Sequence, residues 1–269
     1  MHFTKMHGLG NDYLYVYGEV PSDVANLSIR LSDRHFGAGS DGMIFITPAA
    51  SPAADFTMRI FNADGSEARM CGNGIRCVGK HVYDKGLTDK TSIDIDTLSG
   101  IKHLVLQIED GKACGATVSM GHVVVSDELP VQIESCGEDS MLVCTPINVG
   151  NPHAVFFVSD AEAVPLATLG PRIEHHESFP GGVNAEFVQV LSSHELRMRV
   201  WERGSGITLA CGTGACASVA AAVSKGFCPK DEPITVQLDG GALQITVQAN
   251  GEVLMTGPAS TVYEGEVAL

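Results

Sequence analysis

Cys71 and Cys211 are each followed by the same glycine spacing, as Cys71-Gly72-Asn73-Gly74 and Cys211-Gly212-Thr213-Gly214. A helical pattern runs behind each motif: Ile75, Val78 and Val82 after the first, Cys216, Val219, Ala220 and Val223 after the second. The spacing predicts that each cysteine is a helix N-cap, where unsatisfied backbone N–H groups and the positive end of the dipole favour an anion. Such a position is expected to lower a thiol pKa and make thiolate accessible near neutral pH. The glycines let a ligand approach the backbone, whose N–H groups can hold a carboxylate. One such motif reads equally well as a buried small hydrophobe at a tight turn. Two of them suit a particular task. A thiolate removes a proton from one face of a carbon while a thiol returns one to the other, which inverts configuration without a cofactor. The barrier is a carbanion whose charge flows into the neighbouring carboxylate. Each hydrogen-bond donor aimed at that charge is worth about 3 kcal/mol.

The elements that must position the two thiols repeat with them. At an offset of 140, Cys211 falls on Cys71, Met198-Arg199 on Met58-Arg59, and Gly150-Asn151 on Gly10-Asn11, each Gly-Asn just before an apolar run. That period is too long for a solenoid and indicates a duplicated domain. The boundaries expected are a first repeat over 1–115, joined by a C-terminal tail over 258–269, and a second repeat over 116–257. Short alternating or β-branched runs predict strands at Leu14–Tyr17, Met43–Thr47, Phe56–Phe61, Ser92–Asp96 and Lys102–Glu109 in the first copy. The second offers Met141–Val149, Val155–Val158, Phe187–Leu191, Leu196–Trp201, Ile234–Leu238, Leu243–Val247 and Val253–Met255. Lys85-Gly86 and Lys225-Gly226 read as helix C-caps. Ala215 to Ala222 is nearly all small, so the second helix is expected to be buried on every side. Many strands around one buried helix, twice over, is an α+β architecture.

Composition narrows the partners. The 269 residues are 44% hydrophobic, enough for a buried core, and carry 17 Lys+Arg against 32 Asp+Glu, a net charge of −15. An acidic surface repels phosphate backbones, and no basic run supports a nucleic-acid partner. No apolar stretch reaches the roughly 20 residues of a membrane helix, and the N-terminus lacks a signal-peptide layout. The cysteines at 71, 77, 114, 136, 144, 211, 216 and 228 include no C-x-x-C pair. They read as reduced thiols of a soluble, cytoplasmic protein with no structural metal. Cys77 and Cys216, inside the two helices, read as core.

Longer motifs carry a family resemblance. Met6-His7-Gly8-Leu9-Gly10-Asn11-Asp12, Phe61-Asn62-Ala63-Asp64-Gly65-Ser66-Glu67, Cys71 to Cys77, Gly150-Asn151-Pro152-His153, and Glu202-Arg203-Gly204 through Ala210 to Gly214 together resemble the diaminopimelate epimerases. The resemblance runs nearly end to end. It implies two pseudo-symmetric halves, each a strand-rich, barrel-like sheet around a central helix, with the tail returning to the first half. It implies a pyridoxal-phosphate-independent isomerase that interconverts LL- and meso-2,6-diaminopimelate for lysine and peptidoglycan synthesis, with no cofactor. Carried over by position, Cys71 and Cys211 are the proton donor and acceptor. Gly72, Asn73, Gly212 and Thr213 bind the reacting carboxylate through backbone N–H groups. Asn11, Asn62, Asn151, Asn184, Glu202 and Arg203 read the distal amino-acid end. His153 and Glu202 tune the thiols, and Tyr263 contributes to a homodimer. Neutral amides with one acid and one base match a distal ammonium and carboxylate without net charge.

Two positions depart from the family pattern: Ile207 stands where the family carries Glu, and Gly42 where some members carry Gln. The first leaves open the hydrogen bonding that shapes the second motif loop. A proline or hydroxyproline racemase would use the same thiol pair, but its cyclic substrate needs no distal Asn/Arg set. A thiol redox sensor or metal carrier would tolerate loss of that set, whereas an epimerase would not.

Overall fold

The structure is a computed structural model that describes residues 1–135 and 138–268, so Cys136 lies outside the described residues. In chain order the elements begin β1 (His2–Gly8), β2 (Asn11–Tyr17), α1 (Val24–Ser32), β3 (Gly42–Pro48), β4 (Phe56–Asn62), β5 (Glu67–Ala68) and α2 (Gly72–Asp84). Next come β6 (Ser92–Asp96), β7 (Lys102–Glu109), β8 (Lys112–His122), β9 (Val124–Val125), β10 (Leu129–Ser135), β11 (Glu138–Asn148), β12 (Pro152–Phe157) and α3 (Leu166–Glu174). The rest are β13 (Asn184–Ser192), β14 (Glu195–Glu202), β15 (Gly206–Ile207), α4 (Gly212–Ser224), β16 (Ile234–Leu238), β17 (Gly241–Val247), β18 (Glu252–Pro258) and β19 (Ser260–Glu266).

The chain folds as two units, Met1–Ser119 with Thr256–Leu269, and Met120–Met255. The first division falls beyond residue 115 because β8 stays paired with β7 as far as Val118. The tail belongs to the first unit through β19, which runs antiparallel to β1.

The two units repeat one ladder order. In the first, β1/β2 is antiparallel, β2/β3 parallel, β3/β4 antiparallel, β4/β6 parallel and β6/β7 antiparallel. In the second, β11/β12, β12/β13, β13/β14, β14/β16 and β16/β17 follow the same alternation. Register repeats as well: Phe61 faces Glu67 where β5 turns back on β4, and Trp201 faces Ile207 where β15 turns back on β14. This is a sheet-rich α+β fold made of two repeated halves.

Each unit has an inner and an outer helix. α4 packs against β9, β11, β12, β13, β14, β16 and β17, so the sheet curls around it. Its run from Gly214 to Ala222 is buried, because only small side chains let strands approach from every side. α2 packs against β1, β2 and β7, with Ile75, Cys77, Val78 and Val82 fully buried. The outer helices α1 and α3 cover the opposite sheet faces. Leu27 and Leu31 of α1 pack with Leu14, Met43 and Phe45, and Leu166 and Ile173 of α3 pack with Phe156 and Phe187.

The outer helices carry weak local signals. Each is nine residues long; α1 begins at Asp23 without a side-chain cap, and α3 begins after Pro165 and contains Pro171. Their helicity comes from the apolar face that they press on the sheet.

Candidate active site

Cys71 and Cys211 are the N-caps of α2 and α4, with extended backbones at φ −136° and ψ 118°, and φ −115° and ψ 108°. Their sulfurs stand where a serine or threonine oxygen commonly sits. The Gly74 N–H donates to Cys71 Sγ at 3.3 Å, and the Gly214 N–H to Cys211 Sγ at 3.4 Å. At the other end Lys85 and Lys225 cap the helices, and Gly86 (φ 69°) and Gly226 (φ 74°) turn the chain away in the left-handed region.

In the first unit, the Cys71 thiol donates to Asn11 Oδ1 at 3.3 Å, and Asn11 Nδ2 donates to Asp41 Oδ2 at 2.8 Å. Asp41 is held in turn by Arg34, which also pairs with Asp12 at 2.8 Å. Asn62 lies at the end of β4, where its Nδ2 donates to Ser66 Oγ at 3.0 Å inside the β4–β5 turn. Asn73 gives its side-chain oxygen to Arg76 Nη2 at 2.9 Å. Arg76 is fully buried and also donates to Gly72 O at 3.0 Å and Pro258 O at 3.1 Å. The start of α2 is thereby tied to the tail.

In the second unit, Cys211 is buried near the Glu202 carboxylate, and its sulfur lies 3.6 Å from Thr213 Oγ1. Asn151 Nδ2 donates to Thr213 Oγ1 at 3.3 Å, and Asn151 Oδ1 lies 3.0 Å from His153 Nε2. His153 Nδ1 lies 2.6 Å from Glu186 Oε1, with both side chains wholly buried. Glu202 accepts a short hydrogen bond from Thr208.

Burial, together with the nearby Glu202 and Glu186 carboxylates, pushes the Cys211 thiol well above its ordinary pKa. The lowering expected for an N-cap thiol is therefore overturned at Cys211: two acids and the loss of solvent outweigh the helix end and its single N–H donor. Glu202 is itself pushed up by burial, although Thr208 donates to it.

Backbone groups hold the residues that the sequence assigns to the distal end. Asn184 is buried; its Nδ2 donates to Pro152 O at 2.9 Å and its Oδ1 accepts from the Arg203 N–H at 2.9 Å. The Arg203 side chain is exposed and donates through Nη1 to Gly181 O at 3.0 Å. Glu174, closing α3, accepts from the Gly204 N–H at 2.8 Å and from Trp201 Nε1 at 2.7 Å, fixing the loop that presents Arg203. Ile207 keeps its β-bridge to Trp201, and Thr208 supplies the loop's polar tie to Glu202. Gly42 has φ 155°, and a Cβ there would stand 2.2 Å from the Phe61 carbonyl, so no side chain fits without backbone movement. Tyr263, on β19, donates to Ala38 O at 3.0 Å and stacks edge-on to Phe3.

Three residues of this arrangement escaped the sequence reading: Glu186, Glu174 and Arg76. Glu186 had one available signal. It lies two residues from Asn184 on one strand, so the two side chains share a face. Cys77 and Cys216 are fully buried in their helices, and the seven described cysteines are all free thiols. Among the described residues, no group of three or more His, Cys, Asp or Glu is placed to hold a metal ion, and no helix is long and apolar enough to cross a membrane.

Comparison with known proteins adds two findings. The sequence profile of the family described as diaminopimelate epimerase matches residues 3–126 and 145–262. The diaminopimelate epimerase of Acetivibrio thermocellus is 50% identical, covering 100% of this chain and 99% of its own length. That of Methanococcus maripaludis is 48% identical over 99% of each. The fold is shared more widely: a hydroxyproline epimerase from Agrobacterium vitis superposes with a TM-score of 0.74 over 100% of this chain and 92% of its own, at 20% identity.

Proposed function

The chain belongs to the diaminopimelate epimerase family, and on that premise we propose that it interconverts LL- and meso-2,6-diaminopimelate by a two-base thiol mechanism. The observation that carries the reading is the repeated cap. Two sulfurs, 140 residues apart, each accept a hydrogen bond from the third residue of a helix, at 3.3 and 3.4 Å.

In this mechanism one sulfur, as thiolate, takes the α-proton, and the other, as thiol, gives its proton to the opposite face of the same carbon. The negative charge spreads into the α-carboxylate. The first-turn N–H groups at Gly72, Asn73, Gly212 and Thr213 meet that charge with dipoles already in place. Burial and two neighbouring acids favour Cys211 as the thiol, so in one direction Cys211 is the proton donor and Cys71 the base, and that turnover leaves Cys211 as thiolate and Cys71 as thiol. The reverse direction exchanges the roles. The charge of Glu202 near the Cys211 thiol disfavours its ionisation. His153 reaches the same sulfur through Asn151 and Thr213.

Arg203 can grip the distal carboxylate in bidentate fashion, and Asn11, Asn62, Asn151 and Asn184 supply neutral donors and acceptors around it. An enzyme of this kind serves lysine and peptidoglycan synthesis in the cytoplasm. The Tyr263 ring, 41% exposed, is offered to a second copy of the chain.

The test is direct. Purified protein incubated with LL-diaminopimelate in deuterated water is expected to give the meso isomer with deuterium at the inverted carbon, unaffected by chelators or by removal of pyridoxal phosphate. Faster racemisation of proline or hydroxyproline than of diaminopimelate would overturn the substrate, and a dependence on either additive would overturn the cofactor-free mechanism.

A further inference from the structure

The two halves differ at one buried spot that the repeat makes comparable. Beside Gly74, the nearest atom to a hypothetical Cβ is Ile44 Cδ1 at 2.7 Å. Beside Gly214, the equivalent glycine, it is Glu186 Oε1 at 2.8 Å. The registers agree: Tyr15 faces Ile44 across β2/β3, and Val155 faces Glu186 across β12/β13. Where the first half places a methyl group, the second buries a carboxylic acid at 0% exposure.

Burying that acid costs free energy unless it is paired, and one of its oxygens, Oε2, has no hydrogen-bond partner. An isoleucine at the same place in the other half shows that the fold does not require the acid there. The carboxylate therefore has a local duty, and its close neighbour is the His153 ring. A carboxylate can only accept, so Nδ1 carries the proton of the 2.6 Å bond. That bond leaves Nε2 facing Asn151. The Asn151 amide matches either form of Nε2 by turning its oxygen or its nitrogen toward it, and so keeps its other end on Thr213. As placed, with Oδ1 on Nε2, the amide matches a ring that carries a proton on both nitrogens, and Nδ2 donates to Thr213, which frees the Thr213 hydroxyl proton for Cys211 Sγ; turned over, it matches the Nδ1–H tautomer and accepts from Thr213 instead.

We propose that Glu186 is a positioning residue for catalysis: it anchors the Nδ1–H of His153 and thereby holds the chain His153–Asn151–Thr213 in register on the Cys211 sulfur. The inference rests on the proposed role of Cys211 and adds to it a buried acid whose hydrogen bond goes to His153. Without the anchor Nδ1 loses its acceptor and can give up its proton, which leaves an Nε2–H tautomer that fits only one of the two Asn151 orientations. In the Ser-His-Asp hydrolases, a wrong tautomer disables the catalytic histidine even when geometry is kept.

The experiment compares Glu186→Gln, Glu186→Asp and Glu186→Ile with wild type, using epimerisation kinetics and proton NMR of the imidazole N–H region. Gln keeps the volume but can turn either its oxygen or its amide toward Nδ1. Ile installs what the first half carries. The wild-type enzyme should show a slowly exchanging, downfield His153 Nδ1–H resonance, assigned by its loss in His153→Gln. It should vanish in Glu186→Ile, weaken or move in Glu186→Gln, and be retained in Glu186→Asp. Alongside, kcat should fall about 10- to 100-fold in Gln and Ile, the range for outer partners of a functional histidine, with little change in KM and partial recovery in Asp.

Wild-type kcat in both Gln and Ile, or a resonance that persists in Ile, overturns the proposal. If Ile does not fold, as judged by circular dichroism, Gln and Asp carry the same decision. Cys211→Ser, run in parallel, separates the two claims: wild-type turnover there defeats the thiol mechanism, whereas the NMR result decides the Glu186–His153 anchor independently.

Discussion

Replacing the two equivalent glycines with alanine should have unequal costs, and the inequality can be worked from the structure. In Gly214→Ala the new methyl lies 2.8 Å from Glu186 Oε1, so reaching an ordinary contact of about 3.4 Å needs a retreat of about 0.6 Å. Glu186 has little room to give, because the same oxygen accepts from His153 at 2.6 Å. Moving it that far stretches the bond to about 3.2 Å, the upper edge of normal geometry. A buried hydrogen bond to a charged group is worth about 1.5–3 kcal/mol, and alanine returns at most about 1 kcal/mol of helix propensity. The net loss expected is about 0.5–2 kcal/mol. In Gly74→Ala the methyl meets Ile44 Cδ1 at 2.7 Å, the far end of a flexible side chain. Rotating it costs about 0.5–1.5 kcal/mol, which the propensity gain nearly offsets. Urea denaturation followed by circular dichroism should therefore rank Gly214→Ala clearly below Gly74→Ala, with Gly74→Ala near wild type. Equal midpoints, or the reverse order, would refute the assignment of Glu186 as a pinned acid.

Other consequences follow from buried charge. Arg76→Met leaves the Gly72 and Pro258 carbonyls and Asn73 Oδ1 without the guanidinium, and should cost about 3 kcal/mol or more in the same assay, with Arg76→Lys recovering part of it. Burial raises Cys77 to about 11 and Cys144 to about 12, so the stability these thiols confer is complete below their ordinary value of 9.0 and is lost as pH climbs through those higher values. Raising Cys77 from 9.0 to about 11 corresponds to about 3 kcal/mol; thermal midpoints should drop between pH 9 and 11, and Cys77→Ala should flatten that slope. Burial lowers His81 to about 4, which places an acid-side loss between its ordinary 6.5 and 4; His81→Phe should remove it.

What the sequence made legible was whatever repeats or has a local cause. The N-caps at Cys71 and Cys211 follow from a short motif, and two copies in one register say more than one. Lys85-Gly86 and Lys225-Gly226 stop the helices through a left-handed glycine that any context would favour. The site residues that escaped notice depend on long-range packing. Glu186 resembles an ordinary strand residue until α4 closes over it, and Arg76 resembles a helix-surface cation until the tail returns a carbonyl to it. Glu174 acts through Trp201 and Gly204, some 30 residues away. The lowered thiol pKa expected from the helix end failed at Cys211 for a related reason: the two acids that reverse it sit on separate strands, and burial amplifies both.

The central claim, that both sulfurs handle the α-proton, is tested most directly by exchange in deuterated water with Cys71→Ser and Cys211→Ser, starting from each stereoisomer in turn. Each single variant should lose epimerisation and show almost no solvent exchange at the α-carbon from at least one stereoisomer. Exchange at the wild-type rate from both stereoisomers, in either variant, would contradict the two-thiol account.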